Sequence, residues 1–152
     1  MPAFRELTPG TTVDSAPLEL TSAMLTDAVA LAGYVHPLFT DPAHAEASPF
    51  GTRPAPGALL LLLLGGLAEQ TPLFDEHVVA LVGFDEVRFL APAVAGTRLR
   101  GRFEVLDREP AASGNGGMVR WRWSAVDDAD GRELCRLIAR FRVHDRTPPK
   151  TS

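Results

Sequence analysis

"GALLLLLLGGLAEQ", residues 57–70, is the stretch on which the fold turns. It holds six consecutive leucines, Leu59 to Leu64, and carries no charge before Glu69. Leucine and alanine at this density predict an α-helix over Gly57–Gln70. The apolar run of about fourteen residues falls short of the roughly 20 that a membrane span requires. A helix apolar on nearly every face is expected to be buried on nearly every side. Another part of the chain must then wrap around it.

Downstream of this helix the sequence changes period. Val78–Phe84 and Glu86–Phe89 predict one pair of strands or one bent strand. Thr97–Asp107 alternates, with Leu99, Phe103 and Val105 on one face and Arg98, Arg100 and Arg102 on the other. Val119, Trp121, Trp123 and Ala125 alternate with Arg120, Arg122 and Ser124. After a turn at Asp127–Gly131, Cys135, Leu137, Ala139, Phe141 and Val143 alternate with Arg136, Arg140 and Arg142. One apolar helix followed by four or five long antiparallel strands is an α+β pattern. The arrangement that satisfies both halves is the hot-dog fold, a curved antiparallel sheet wrapped around one long central apolar helix.

Upstream, residues 1–20 read as a lead-in with one short strand. Thr21 or Ser22 can cap a helix that Gly33 stops. The next segment, 34–56, contains Pro37, Pro42, Pro49, Pro54 and Pro56, and is expected to be an irregular connection. Structureless stretches of that length in a small domain are often functional.

Composition sets the outer limits. The chain's 152 residues predict a single domain, 1–152, with a core over about 20–143 and a polar, frayed tail from Asp145. A net charge of −4 gives no reason to expect nucleic-acid binding. Cys135 is the only cysteine, which excludes an internal disulfide and fits a cytoplasmic location. The N-terminus lacks the basic and apolar regions of a signal peptide. His44, His77 and His144 have no metal-ligand spacing and are expected at the surface, so neither a metal nor another cofactor is expected.

Three stretches in order resemble one family. They are Ala32-Gly33-Tyr34-Val35-His36-Pro37-Leu38-Phe39 with Asp41-Pro42 and Ala45; Phe50-Gly51-Thr52-Arg53-Pro54-Ala55-Pro56-Gly57; and Arg88-Phe89-Leu90-Ala91-Pro92 with Gly96. They are similar to the S-G-D-x-N-P-[LIV]-H loop, the F-G-x-x-I-A-H-G helix entry and the R-F-x-x-P-V-x-x-G strand turn of the MaoC-like hydratase/dehydratases. Those are hot-dog proteins acting on acyl thioesters. The resemblance covers roughly residues 20–143. It implies a dimer, homo- or hetero-, and an acyl thioester of CoA or of a carrier protein as substrate.

The same alignment shows a degenerate catalytic loop. Tyr34 stands where the family has its catalytic aspartate, Phe39 where it has its catalytic histidine, His36 for the asparagine and Pro56 for the histidine before the helix glycine. Phenylalanine exchanges no proton, and tyrosine is a poor base near neutral pH. The ordinary hydration mechanism therefore does not carry over. What survives is the helix entry. The N–H groups of Gly57 and Ala58 point outward at a helix N-terminus and can polarise a carbonyl. Tyr34 and His36 are the candidate acid and base, with Phe39, Pro56, Gly57 and Ala58 as substrate-binding residues. The alternative is that Tyr34, His36 and Phe39 only fill the vacated space.

Three functional readings remain open: a lyase- or cyclase-type enzyme of altered chemistry on an acyl or polyketide-like substrate, a non-catalytic subunit of a heterodimeric hydratase or dehydratase, and an acyl-binding module. Trp121 and Trp123 read as core, or else as a stacking platform. The arginine rungs read as a solvated face, or else as a dock for an acidic carrier protein or a phosphopantetheine arm.

Overall fold

The structure is a computed structural model that describes residues 3–146. After a 3₁₀ turn at Phe4–Glu6 come two short strands, β1 (Thr12–Asp14) and β2 (Leu18–Glu19), rather than the one expected. The helices are α1 (Ser22–Ala32), α2 (Pro37–Thr40), α3 (Pro42–Ala47) and α4 (Gly57–Glu69). Four long strands follow: β3 (Val78–Phe89), β4 (Arg98–Pro110), β5 (Gly117–Asp127) and β6 (Glu133–Val143).

All six strands form one antiparallel sheet in the order β1-β4-β5-β6-β3, with β2 also paired to β4. The alternation read from the sequence is the alternation of burial. Leu99, Phe103, Val105, Val119, Trp121, Ala125, Leu137 and Ala139 are buried on the face toward α4. Trp121 and Trp123 are core residues, packed with Phe74, Phe103 and Phe141 at ring separations of 5.0–6.3 Å. β3 is one bent strand; Glu86 takes a positive φ of 52° where its pairing with β6 slips register.

The outer face carries the arginine rungs, and most of them meet an acidic side chain. Arg100 and Arg102 bond Asp14, Arg100 also bonds Asp128, and Arg120 bonds Asp107. Arg122, Arg136 and Arg140 meet Glu104, Glu133 and Asp85. The Asp14 bond raises the Arg102 pKa. Pairs this exposed contribute little stability.

Three expectations need correction. The first concerns α4, which is not buried all round. Leu59, Leu60, Leu64 and Leu67 enter the core, while Leu62 is 66% exposed. One concave sheet covers only the stripe that faces it.

The second concerns residues 34–56, which are not structureless. Pro37 and Pro42 each open a short helix, because the missing proline N–H costs nothing at a first helical position. The third concerns the tail. The Asp145 carboxylate accepts the Arg5 N–H, and the Asn115 side chain accepts the N–H groups of Asp145 and Arg146. The rest of the expected frayed tail, 147–152, lies outside the described residues.

Candidate functional site

The loop between α1 and α4 is assembled by caps. Thr21 caps α1 through Met24 N–H, and Gly33 ends it in the left-handed conformation (φ 76°) that glycine adopts without strain. The chain then turns into Tyr34. His36 caps α2, its Nδ1 accepting the Leu38 N–H at 3.0 Å, and Asp41 caps α3, its Oδ1 accepting the Ala43 N–H at 3.0 Å. The Asp41-Pro42 pair thus has a structural use here.

Tyr34, His36 and Phe39 do come together. The Tyr34 and Phe39 rings meet edge to face at 5.2 Å, and His36 lies 6.3 Å from Phe39 and 6.0 Å from His44. Tyr34 and Phe39 are half-buried and His36 is exposed. The His36 cap bond has a chemical consequence. The ring's Nδ1 lone pair is engaged, so the neutral ring carries its hydrogen on Nε2. In this geometry His36 offers a donor, not a free basic nitrogen.

The helix entry is the second half. Pro56 sits at the N-cap of α4 and no side chain caps the helix, leaving the Gly57 and Ala58 N–H groups at an open first turn. The segment before it is fixed by the Ala55 N–H bond to the Ala93 carbonyl, at 2.7 Å. Over Gly57 lies Phe89. A Cβ at position 57 would come within 2.7 Å of its ring, so any larger residue there would push the Phe89 ring aside. Nothing in the sequence flagged this contact, which joins residues 32 positions apart across two motifs.

One cavity borders the aromatic loop and another lies farther along α4. A polar cleft of about 550 Å³ is lined by Phe39, Asp41, Thr26 and Arg53, whose guanidinium is held by the Ser22 carbonyl and the Thr26 hydroxyl. A larger cavity of about 710 Å³ lies between α4 and the sheet, bordered by Leu61, Gly65, Leu81, Phe84, Trp123 and Asp75. Gly57 borders neither of these two.

His77 and His144, expected at the surface, are half-buried, because the His144 N–H bonds the His77 carbonyl where β3 and β6 meet. Cys135 is a buried free thiol, pushed up to about 11 mainly by burial. Among the described residues there is no cluster of three or more side chains that could hold a metal, and no helix long and apolar enough to cross a membrane.

A concave antiparallel sheet around a single long helix, with an open helix N-terminus that follows a proline-punctuated loop, defines a hot-dog domain. Residues 5–119 match the MaoC-like domain family, and the chain belongs to that family. It is 37% identical over 99 residues to nodulation protein N of Rhizobium meliloti, a match spanning 63% of this chain and 57% of that protein. It also superposes on a monoamine oxidase regulatory protein from Archaeoglobus (TM-score 0.87, 23% identity, 95% of each chain). A third match is the (3R)-hydroxyacyl-ACP dehydratase complex HadBC of Mycobacterium tuberculosis (TM-score 0.72, 17% identity, 88% of this chain and 95% of that one).

Proposed function

We propose that this chain is a MaoC-like protein that binds an acyl thioester, or a polyketide-like relative of one, and acts on it by lyase- or cyclase-type chemistry without the usual carboxylate and imidazole. The observation that carries the reading is the open N-terminus of α4. Its uncapped Gly57 and Ala58 N–H groups are ready donors to a thioester carbonyl. Polarisation there stabilises an enolate-like oxyanion whichever residue moves the proton. Tyr34 is the proposed acid. The His36 cap bond supports that residue as a second donor rather than the base of the sequence reading. Phe39 and Pro56 would flank the bound acyl group.

The site is proposed to be completed by a second hot-dog chain, a copy of this one or a relative, in the cytoplasm. β3 is a free sheet edge with Val79, Leu81, Val82 and Phe89 exposed, the kind of edge that pairs with another chain.

A second reading, that of a non-catalytic subunit, is favoured by Phe89. Its ring covers Gly57 and would have to move before a carbonyl could enter. The HadBC complex supports the idea that hot-dog chains of this kind work in unlike pairs.

The test is infrared difference spectroscopy with a ¹³C-carbonyl-labelled butyryl-pantetheine thioester. Carbonyl binding at α4 moves the labelled band to lower frequency. A band that stays at its solution position at saturating protein removes the proposed site.

A further inference from the structure

The larger cavity is bordered by two carboxylates, an exposed Glu69 and a largely buried Asp75, and neither was visible as a motif. Its walls are hydrocarbon: Leu61 and Gly65 on α4, Leu81 and Phe84 on β3, Trp123 on β5. At one end stands Asp75, with a side chain only 10% exposed. Its Oδ1 accepts the His77 backbone N–H at 2.8 Å, and the His77 ring Nδ1 lies 2.9 Å from Oδ1 and 3.1 Å from Oδ2. A carboxylate only accepts, so Nδ1 carries the hydrogen and donates. His77, itself 17% exposed, thereby fixes the carboxylate in the cavity wall. A carboxylate has about four acceptor positions, so Oδ2 keeps capacity for another donor.

We propose that Asp75, positioned by His77, is the specificity group of this cavity and selects an apolar chain that ends in a hydroxyl. This deepens the thioester reading and rests on it for the head of the ligand. Gly57 and Glu69 are the two ends of α4, about 18 Å apart at 1.5 Å per residue. A carbonyl held at Gly57 leaves an extended tail running past Leu61 and Gly65 toward Asp75. Asp75 is therefore too far from the carbonyl to take part in reaction there; its role is recognition. A plain hydrocarbon tail would strip water from the carboxylate without replacing its hydrogen bonds, whereas a terminal hydroxyl replaces one. That asymmetry is how a buried polar group discriminates.

The experiment follows Trp123 fluorescence, since Trp123 lines the cavity. The probes are decanoyl- and ω-hydroxydecanoyl-pantetheine, and the matching decanamides, which lack the thioester. The wild-type protein should bind the hydroxylated member of each pair about tenfold more tightly, one hydrogen bond's worth. Asp75→Asn keeps an oxygen for the His77 N–H and so keeps the turn; it should bind both members equally.

Gly65→Leu is the control for the cavity itself. A Cβ there meets nothing within 4 Å, so the added bulk enters the cavity and should abolish binding of all four probes without unfolding the helix. Equal binding of the two wild-type pairs, a preference that persists in Asp75→Asn, or no binding at all overturns the proposal. Selective amide binding without any carbonyl shift at α4 keeps this proposal and sinks the thioester site instead.

Discussion

Leu64 and Leu62 stand two residues apart in one run of leucines, yet Leu64 is fully buried and Leu62 is 66% exposed. The helix they share faces two environments. Its inner stripe, with Leu60, Leu64 and Leu67, packs on Phe103, Trp121 and Trp123 and belongs to a closed core. Its outer side, together with the free edge of β3, is apolar and uncovered. The first region is finished within one chain; the second makes sense as surface reserved for a ligand or another chain. Hydrophobicity alone does not separate them, because the residue type is the same. Position on the helix does.

The comparison can be broken most forcefully at the leucines themselves. Leu64→Ala should lower unfolding free energy by about 2–5 kcal/mol, as core truncations do. Leu62→Ala should stay within about 0.5 kcal/mol in urea titrations of the dissociated chain. Similar losses at both positions would mean that the two sides are not different.

The open side should also carry the chemistry. Tyr34→Phe and His36→Ala remove the proposed donors to the carbonyl, and with solvent taking the α-hydrogen each is expected to slow α-hydrogen exchange of butyryl-pantetheine at least roughly a hundredfold, the usual cost of losing a catalytic proton-transfer group. A loss under about threefold in both, followed by NMR in deuterated buffer, would leave the aromatic loop with a packing role only.

Assembly offers a third contrast. Light scattering at micromolar concentration should give a mass near twice 16.3 kDa. Val82→Lys, which places a charge on the β3 edge, should shift the protein toward the single-chain mass. A wild-type monomer would leave the exposed edge unexplained.

The smallest effect belongs to the closed side. Burial holds the Cys135 thiol protonated, raising its pKa from 9.0 to about 11. The unfolded thiol ionises first, so stability from this group is complete below pH 9 and declines as pH rises toward 11. Cys135→Val should flatten that decline in urea midpoints measured against pH, and the native wild-type thiol should resist alkylation at pH 8.

Much of the fold was readable because its signals are local. The alternation in β4, β5 and β6, the Thr21 and Gly33 caps of α1 and the extent of α4 all follow from residues a few positions apart. The sidedness of α4 was not readable, since a uniform run of leucine has no phase. Nor were α2 and α3, whose prolines read as breakers until their first-turn positions were known. The site divides the same way. The gathering of Tyr34, His36 and Phe39 within one loop was legible; Phe89 over Gly57 and the Asp75 wall of the cavity were not. Those depend on contacts between elements far apart in sequence.

The central claim is the proposal that Tyr34 and Phe39 stand in place of the family's Asp and His and that this chain therefore lacks conventional hydration. Its most direct test is the hydration of crotonyl-CoA by the purified chain alone, followed by loss of the enoyl absorbance. The account predicts turnover far below the roughly 10 per second typical of enzymes. Turnover at or above that rate would contradict it.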